Sequence, residues 1–215
     1  MIAGPRRPDG ARTVARWARV GLTLLLIPLG IRAFADQYGI VPLLSDIDVA
    51  IHEFGHMLFM PFGILIFGET MMILAGSLVQ VVVPLLFVGY FLWAKDGGRD
   101  LHAAMVCLWW TAINVLSVAI YVGDSRAGVL MLITGETGQE SDAHDWNNLL
   151  TRWGALNKDT LIAARLRGVA WLLFAFSIIV GLYAAWKRDD PLLAAEGHDR
   201  VDVLGRRGNE SAGGP

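Results

Sequence analysis

Runs of about twenty apolar residues recur along this chain, at roughly 17–35, 71–93, 101–122 and 161–186, separated by polar turns. A bilayer core about 30 Å thick takes about 20 helical residues to cross. Inside lipid every backbone N–H and C=O must be satisfied within the segment, which selects helices over any open sheet. The chain is 54% hydrophobic and only 18% charged over 215 residues, too apolar for an ordinary soluble domain. The sequence therefore predicts an all-α, polytopic transmembrane helix bundle.

Its organisation follows from the breaks. Arg6, Arg7, Arg12 and Arg16 make residues 1–16 basic, which predicts a cytoplasmic N-terminus. Ala33-Phe34-Ala35 before Asp36 resembles a signal-peptidase site, but Arg32 and the length of the run favour an uncleaved anchor. Ser45-Asp46-Ile47-Asp48 reads as a capping box, with Ser45 as N-cap, opening a further span and bringing the total to about five. Pro61 and Gly63 should end or bend that helix, and the apolar piece from Phe62 to Gly68 is short enough to be re-entrant. Between about Gly123 and Asp159, Trp146, Leu149, Leu150 and Trp153 recur at helical spacing, an amphipathic helix suited to the membrane interface. Residues 17–186 thus form the membrane-embedded domain, and 187–215 a polar, Gly-rich tail expected to be disordered. Five crossings leave the C-terminus outside, whereas Lys187 and Arg188 favour the cytoplasm; the two arguments conflict.

Within the second of these spans stands His52-Glu53-Phe54-Gly55-His56. Residues four apart share a helix face, so His52 and His56 can present two imidazoles to one ion, with Glu53 beside them. From a start near Asp46, His52 lies about 9 Å along the helix axis. Such a motif also arises by accident on exposed helices of soluble proteins. In an apolar segment ionisable groups are costly and mark function. A catalytic zinc takes three protein ligands and an open position. Cys107 is the only cysteine, so the donors must be histidine and carboxylate. The candidates for the third are Asp124, His144 and Asp145, followed by Asp142 and His102. Asp48 is placed to accept the outer ring N–H of His52 or to cap the helix. Gln80 and Asn114 could hydrogen-bond a substrate backbone or simply join helices.

A metal-binding HExxH pair in a membrane helix, followed by Asn114 and then Asp124 at the end of a later one, resembles the site-2 protease family of intramembrane zinc metalloproteases (peptidase family M50), in a divergent bacterial branch. The resemblance covers about Leu44 to Arg126 and is specific at the five-residue motif. It implies Zn2+ as cofactor, with Asp124 as third ligand, and membrane-anchored proteins as substrates. It also implies peptide hydrolysis by a zinc-activated water with Glu53 as general base, in a multi-pass protein of the bacterial inner membrane. Val122-Gly123-Asp124-Ser125-Arg126 departs from the family's usual wording around that aspartate.

Two other functions compete. One is a non-enzymatic membrane protein that binds or transports a metal; the other is a protease homologue that has lost turnover. A transport path would call for further His or acidic residues along the spans, and few are present. The net charge of −2, without a basic stripe, gives no reason to expect a nucleic-acid partner.

Overall fold

The computed structural model describes residues 9–62, 68–94 and 98–187. Those residues are helical apart from turns and one isolated antiparallel bridge between Met131 and Thr137. The helices are α1 (Asp9–Ala35), α2 (Leu44–Phe62), α3 (Gly68–Trp93), α4 (Leu101–Gly123), α5 (Asp145–Arg152) and α6 (Asp159–Trp186), with a 3-10 turn at Leu156–Lys158 before α6. Four segments are long and apolar enough to cross a membrane: Thr13–Ala35, Gly68–Trp93, Leu101–Gly123 and Leu156–Trp186. The helix expected as a further span, α2, is not among them, because it carries Asp46, Asp48 and Glu53 within 19 residues. The proposed re-entrant piece, the first basic residues and the tail beyond Lys187 lie wholly or mostly outside the described residues.

Side-chain contacts fix the directions. Arg19 on α1 pairs with Asp100 at the start of α4 at 2.6 Å, and Trp109 donates its indole N–H to Leu26 O, so α1 and α4 run parallel. Gly181 approaches Met105 while Gly123 approaches Ala163, so α6 runs against α4. Gln80 faces Ser117, and Phe87 stacks on Trp110, so α3 is antiparallel to α4 too. Up-and-down order leaves Trp17 and Trp186 in edge contact, 6.0 Å between centroids, at the same end of the bundle. Both ends of the helical domain therefore sit together.

α4 is the central post. Ile113, Leu116, Trp109 and Ala112 pack with Leu26, Phe34, Ala170 and Phe174 into the main core. A second cluster joins Val118 and Val122 to Trp146, Leu149 and Leu150, seating α5 on the end of the bundle. The apolar face of α5 is thus spent on protein; Trp153, its last member, remains half exposed. Dispersion and removal of that face from water or lipid hold α5, and with it the preceding loop, in place.

α2 lies antiparallel against α3 through small residues. A Cβ at Gly55 would lie 2.5 Å from Ala75 O, and one at Gly76 would collide with the Nε2 atoms of His56 and His52. Only hydrogen fits between these backbones, the usual device for close helix approach in membranes. Gly76→Ala is expected to push the two rings apart, costing about 1–3 kcal/mol as overpacking. It should show as a lower melting midpoint together with lost metal binding, measured on detergent-purified protein.

Candidate metal centre

His52 and His56 project from α2 toward α3 and the start of α5. Their Nε2 atoms converge on a single carboxylate oxygen, Asp145 Oδ2, at 3.0 and 3.1 Å. The three donors lie within 4.8 Å of one another and form the one such group among the described residues. In a tetrahedral zinc shell with bonds of about 2.0–2.1 Å, donor atoms stand about 3.3 Å apart. The observed separations are close to that edge.

The outer nitrogens settle the tautomers. His56 Nδ1 donates to the backbone carbonyl of Met72 at 2.9 Å, and His52 Nδ1 donates to Gln80 Oε1 at 3.0 Å. The other end of the Gln80 amide donates to Ser117 Oγ at 3.5 Å. With Nδ1 protonated on both rings, each Nε2 turns a lone pair toward an anionic oxygen. A positive species between them fits this geometry, whether ring protons or one divalent ion. Two imidazolium rings 4.9 Å apart would repel, whereas a metal takes both lone pairs and the carboxylate together. The donor set therefore fits a borderline metal such as Zn2+.

Asp145 reaches this position as the first residue of α5, where the helix dipole favours a negative charge. Burial pushes its carboxyl up, but the hydrogen bonds with His52 and His56 outweigh it and leave the group below its usual value. Its backbone N–H donates to Tyr121 Oη at 3.0 Å. Glu53 lines the same cleft and is paired with no described side chain. The cleft, of about 350 Å³, is walled by Met60, Met72, Ile73, Leu132 and Ile133 around the polar cluster. Outer partners of metal-ligating histidines tune affinity, so Gln80→Leu is expected to weaken zinc binding about 10–100-fold, read by chelator competition.

Other expected site residues lie elsewhere. Asp124, expected as the third ligand, does not join the histidines. Its two carboxylate oxygens accept the N–H groups of Val129 and Leu130, each at 3.0 Å, and Oδ2 lies 3.3 Å from His144 Nε2. His144 is the N-cap of α5: its Nδ1 accepts from Asn147 N–H, so Nε2 carries the proton facing Asp124. Burial holds this imidazole below its ordinary value, even beside Asp124, and it stacks on Tyr121 at 4.4 Å. Asp124 and His144 thus brace the loop that delivers Asp145.

Asp48 does not touch His52. Its Oδ1 accepts from Trp110 Nε1 at 2.7 Å and Asn114 Nδ2 at 3.1 Å, halfway along α4. Nor is Ser45 an N-cap: it sits inside α2, and its Oγ accepts from Val41 N–H. Asn114 is fully buried in that contact and away from the cleft. His102, bonded to Thr23 and Arg19, lies about 28 Å from Tyr121 at 1.5 Å per residue along α4, at the opposite end of the bundle. Asp142 is exposed and offers only its carbonyl, to Asn148.

No family model, curated protein or solved structure matches the chain.

Proposed function

We propose that this chain is an intramembrane zinc metallopeptidase, similar in its active-site plan to the site-2 proteases, with His52, His56 and Asp145 as the metal ligands. The observation that carries the reading is the pair of Nε2 lone pairs aimed at one carboxylate, beside Glu53, in a cleft with apolar walls. A zinc ion there would supply Lewis acidity and lower the pKa of water towards about 7. Glu53 is the base that takes a proton from the attacking water and returns it to the leaving amine nitrogen as the C–N bond breaks. The oxygen of that water ends on the acyl carbon, so one water is consumed per bond cut. The apolar walls select an extended apolar segment from a membrane-anchored protein. Read as four crossings from a cytoplasmic start, α1 and α6 carry Arg16, Arg19 and Lys187 at the cytoplasmic face, with the metal centre near the other.

Clustering of the donors favours this over metal transport, which needs acidic or imidazole groups at successive depths; the described residues offer one such group, at one end of the bundle. The test is zinc content of the detergent-purified chain, with cleavage of a reconstituted single-span peptide before and after chelation. About one zinc per chain and chelator-reversible cleavage support a peptidase. Zinc without cleavage supports a binding protein, and no zinc removes both.

A further inference from the structure

Tyr121 lies on α4, two residues before its end, in a run whose other members are apolar or small. Its ring is clamped on one face by His144, at 4.4 Å and 29°, and meets His52 edge-on at 6.0 Å. Its hydroxyl oxygen accepts the Asp145 N–H at 3.0 Å, and the phenol forms part of the cleft wall beside His52, His56 and Glu53. Accepting that bond uses one lone pair and leaves the hydroxyl's own proton free to point elsewhere; no described residue receives it. A phenol ordinarily keeps its proton at neutral pH. The result is an O–H donor held by two contacts, directly against the proposed ligands Asp145 and His52.

We propose that Tyr121 is a catalytic residue, donating its hydroxyl proton as a hydrogen bond to the oxyanion that forms when water adds to the scissile carbonyl. This rests on the peptidase reading above. A fixed donor of this kind costs no reorganisation as the charge develops, and it acts in a cleft with largely apolar walls. It acts on the substrate oxygen and leaves the Glu53 proton path unchanged. Its second duty, receiving Asp145 N–H, keeps the donor in register with the third metal ligand.

Tyr121→Phe keeps the stack on His144 and removes both the donor and the acceptor of the Asp145 N–H. Three measurements on the zinc-loaded, detergent-purified chain decide the matter: cleavage of a single-span peptide, affinity for a peptide phosphonamidate that mimics the tetrahedral state, and zinc affinity by chelator competition. The expected result is kcat lower by about 10²–10³-fold with KM little changed, and the phosphonamidate weakened by a comparable factor while zinc affinity holds. A loss of activity restored by excess zinc would mean that Tyr121 merely positions Asp145, and would overturn the inference. So would cleavage by the variant within about threefold of the unaltered chain. Absence of zinc-dependent cleavage in the unaltered chain overturns the peptidase reading itself, which the variant comparison alone does not.

Discussion

Glu53→Gln is expected to leave zinc bound at full stoichiometry and to slow peptide cleavage by about 10²–10⁴-fold, the range for loss of a positioned general base. The substitution keeps the shape of the side chain and a carbonyl oxygen but removes the group that accepts a proton. Glu53 has no described partner to leave stranded, so nothing in the fold depends on its charge. It stands next to His52 in sequence, yet the donors that converge are His52, His56 and Asp145, so metal affinity should not follow it. Zinc content by elemental analysis and cleavage of a reconstituted single-span peptide are the measurements. Cleavage retained at the unaltered rate would remove Glu53 from the chemistry, and loss of zinc together with cleavage would make it a ligand.

The parts of this molecule written locally were legible in its sequence. The four apolar helices follow from run length, and their observed ends fall within a few residues of the expected ones, α1 excepted, which begins earlier at Asp9. His52 and His56 follow from helical spacing, since a four-residue interval puts two side chains on one face whatever surrounds them. Gln80 is a polar group in an apolar helix and had to find a partner; it found the outer nitrogen of His52. What failed needed knowledge of which helix comes next to which. Asp48 is also four residues from His52, but at that level α2 faces α4, so its carboxylate meets Trp110 and Asn114. Capping chemistry at Ser45 was misplaced because the helix starts a residue earlier, at Leu44. Tyr121 had no signal beyond being a polar-tipped aromatic near a helix end, and no motif spacing would have picked it out.

The third donor shows the same limit most sharply. Asp124 and Asp145 are both aspartates at helix ends bordering one loop, and spacing alone gives neither the advantage. The C-terminal end of α4 disfavours an anion, and Asp124 is compensated there by two loop N–H groups and His144. The N-terminal end of α5 favours one, and Asp145 is free to face outward to the histidines. The loop between them folds back on itself, and burial of Trp146, Leu149 and Leu150 pins its far end against α3, α4 and α6, with Asp145 facing the histidines of α2. Which aspartate meets the two histidines is thus decided by where α5 docks.

That division of labour separates two variants. Asp145→Ala is expected to lose zinc by more than the about 10–100-fold typical of an outer partner, leaving stoichiometry well below one at micromolar free metal. Asp124→Asn should retain zinc, because its oxygens reach loop N–H groups and not the metal. Hydrogen bonds to a charged group are worth about 1.5–3 kcal/mol each, and an amide can keep only part of them. The expected sign is faster amide exchange at Val129 and Leu130, and protease nicking between α4 and α5. If α5 loosens enough, metal affinity falls as well, but saturating zinc recovers it, whereas Asp145→Ala stays metal-poor at any concentration the chain tolerates. The reverse pattern, zinc lost in Asp124→Asn and kept in Asp145→Ala, would restore Asp124 as the ligand and require α5 to lift off the bundle. Two substitutions in one loop, read by one metal titration, therefore distinguish a ligand from the brace that positions it.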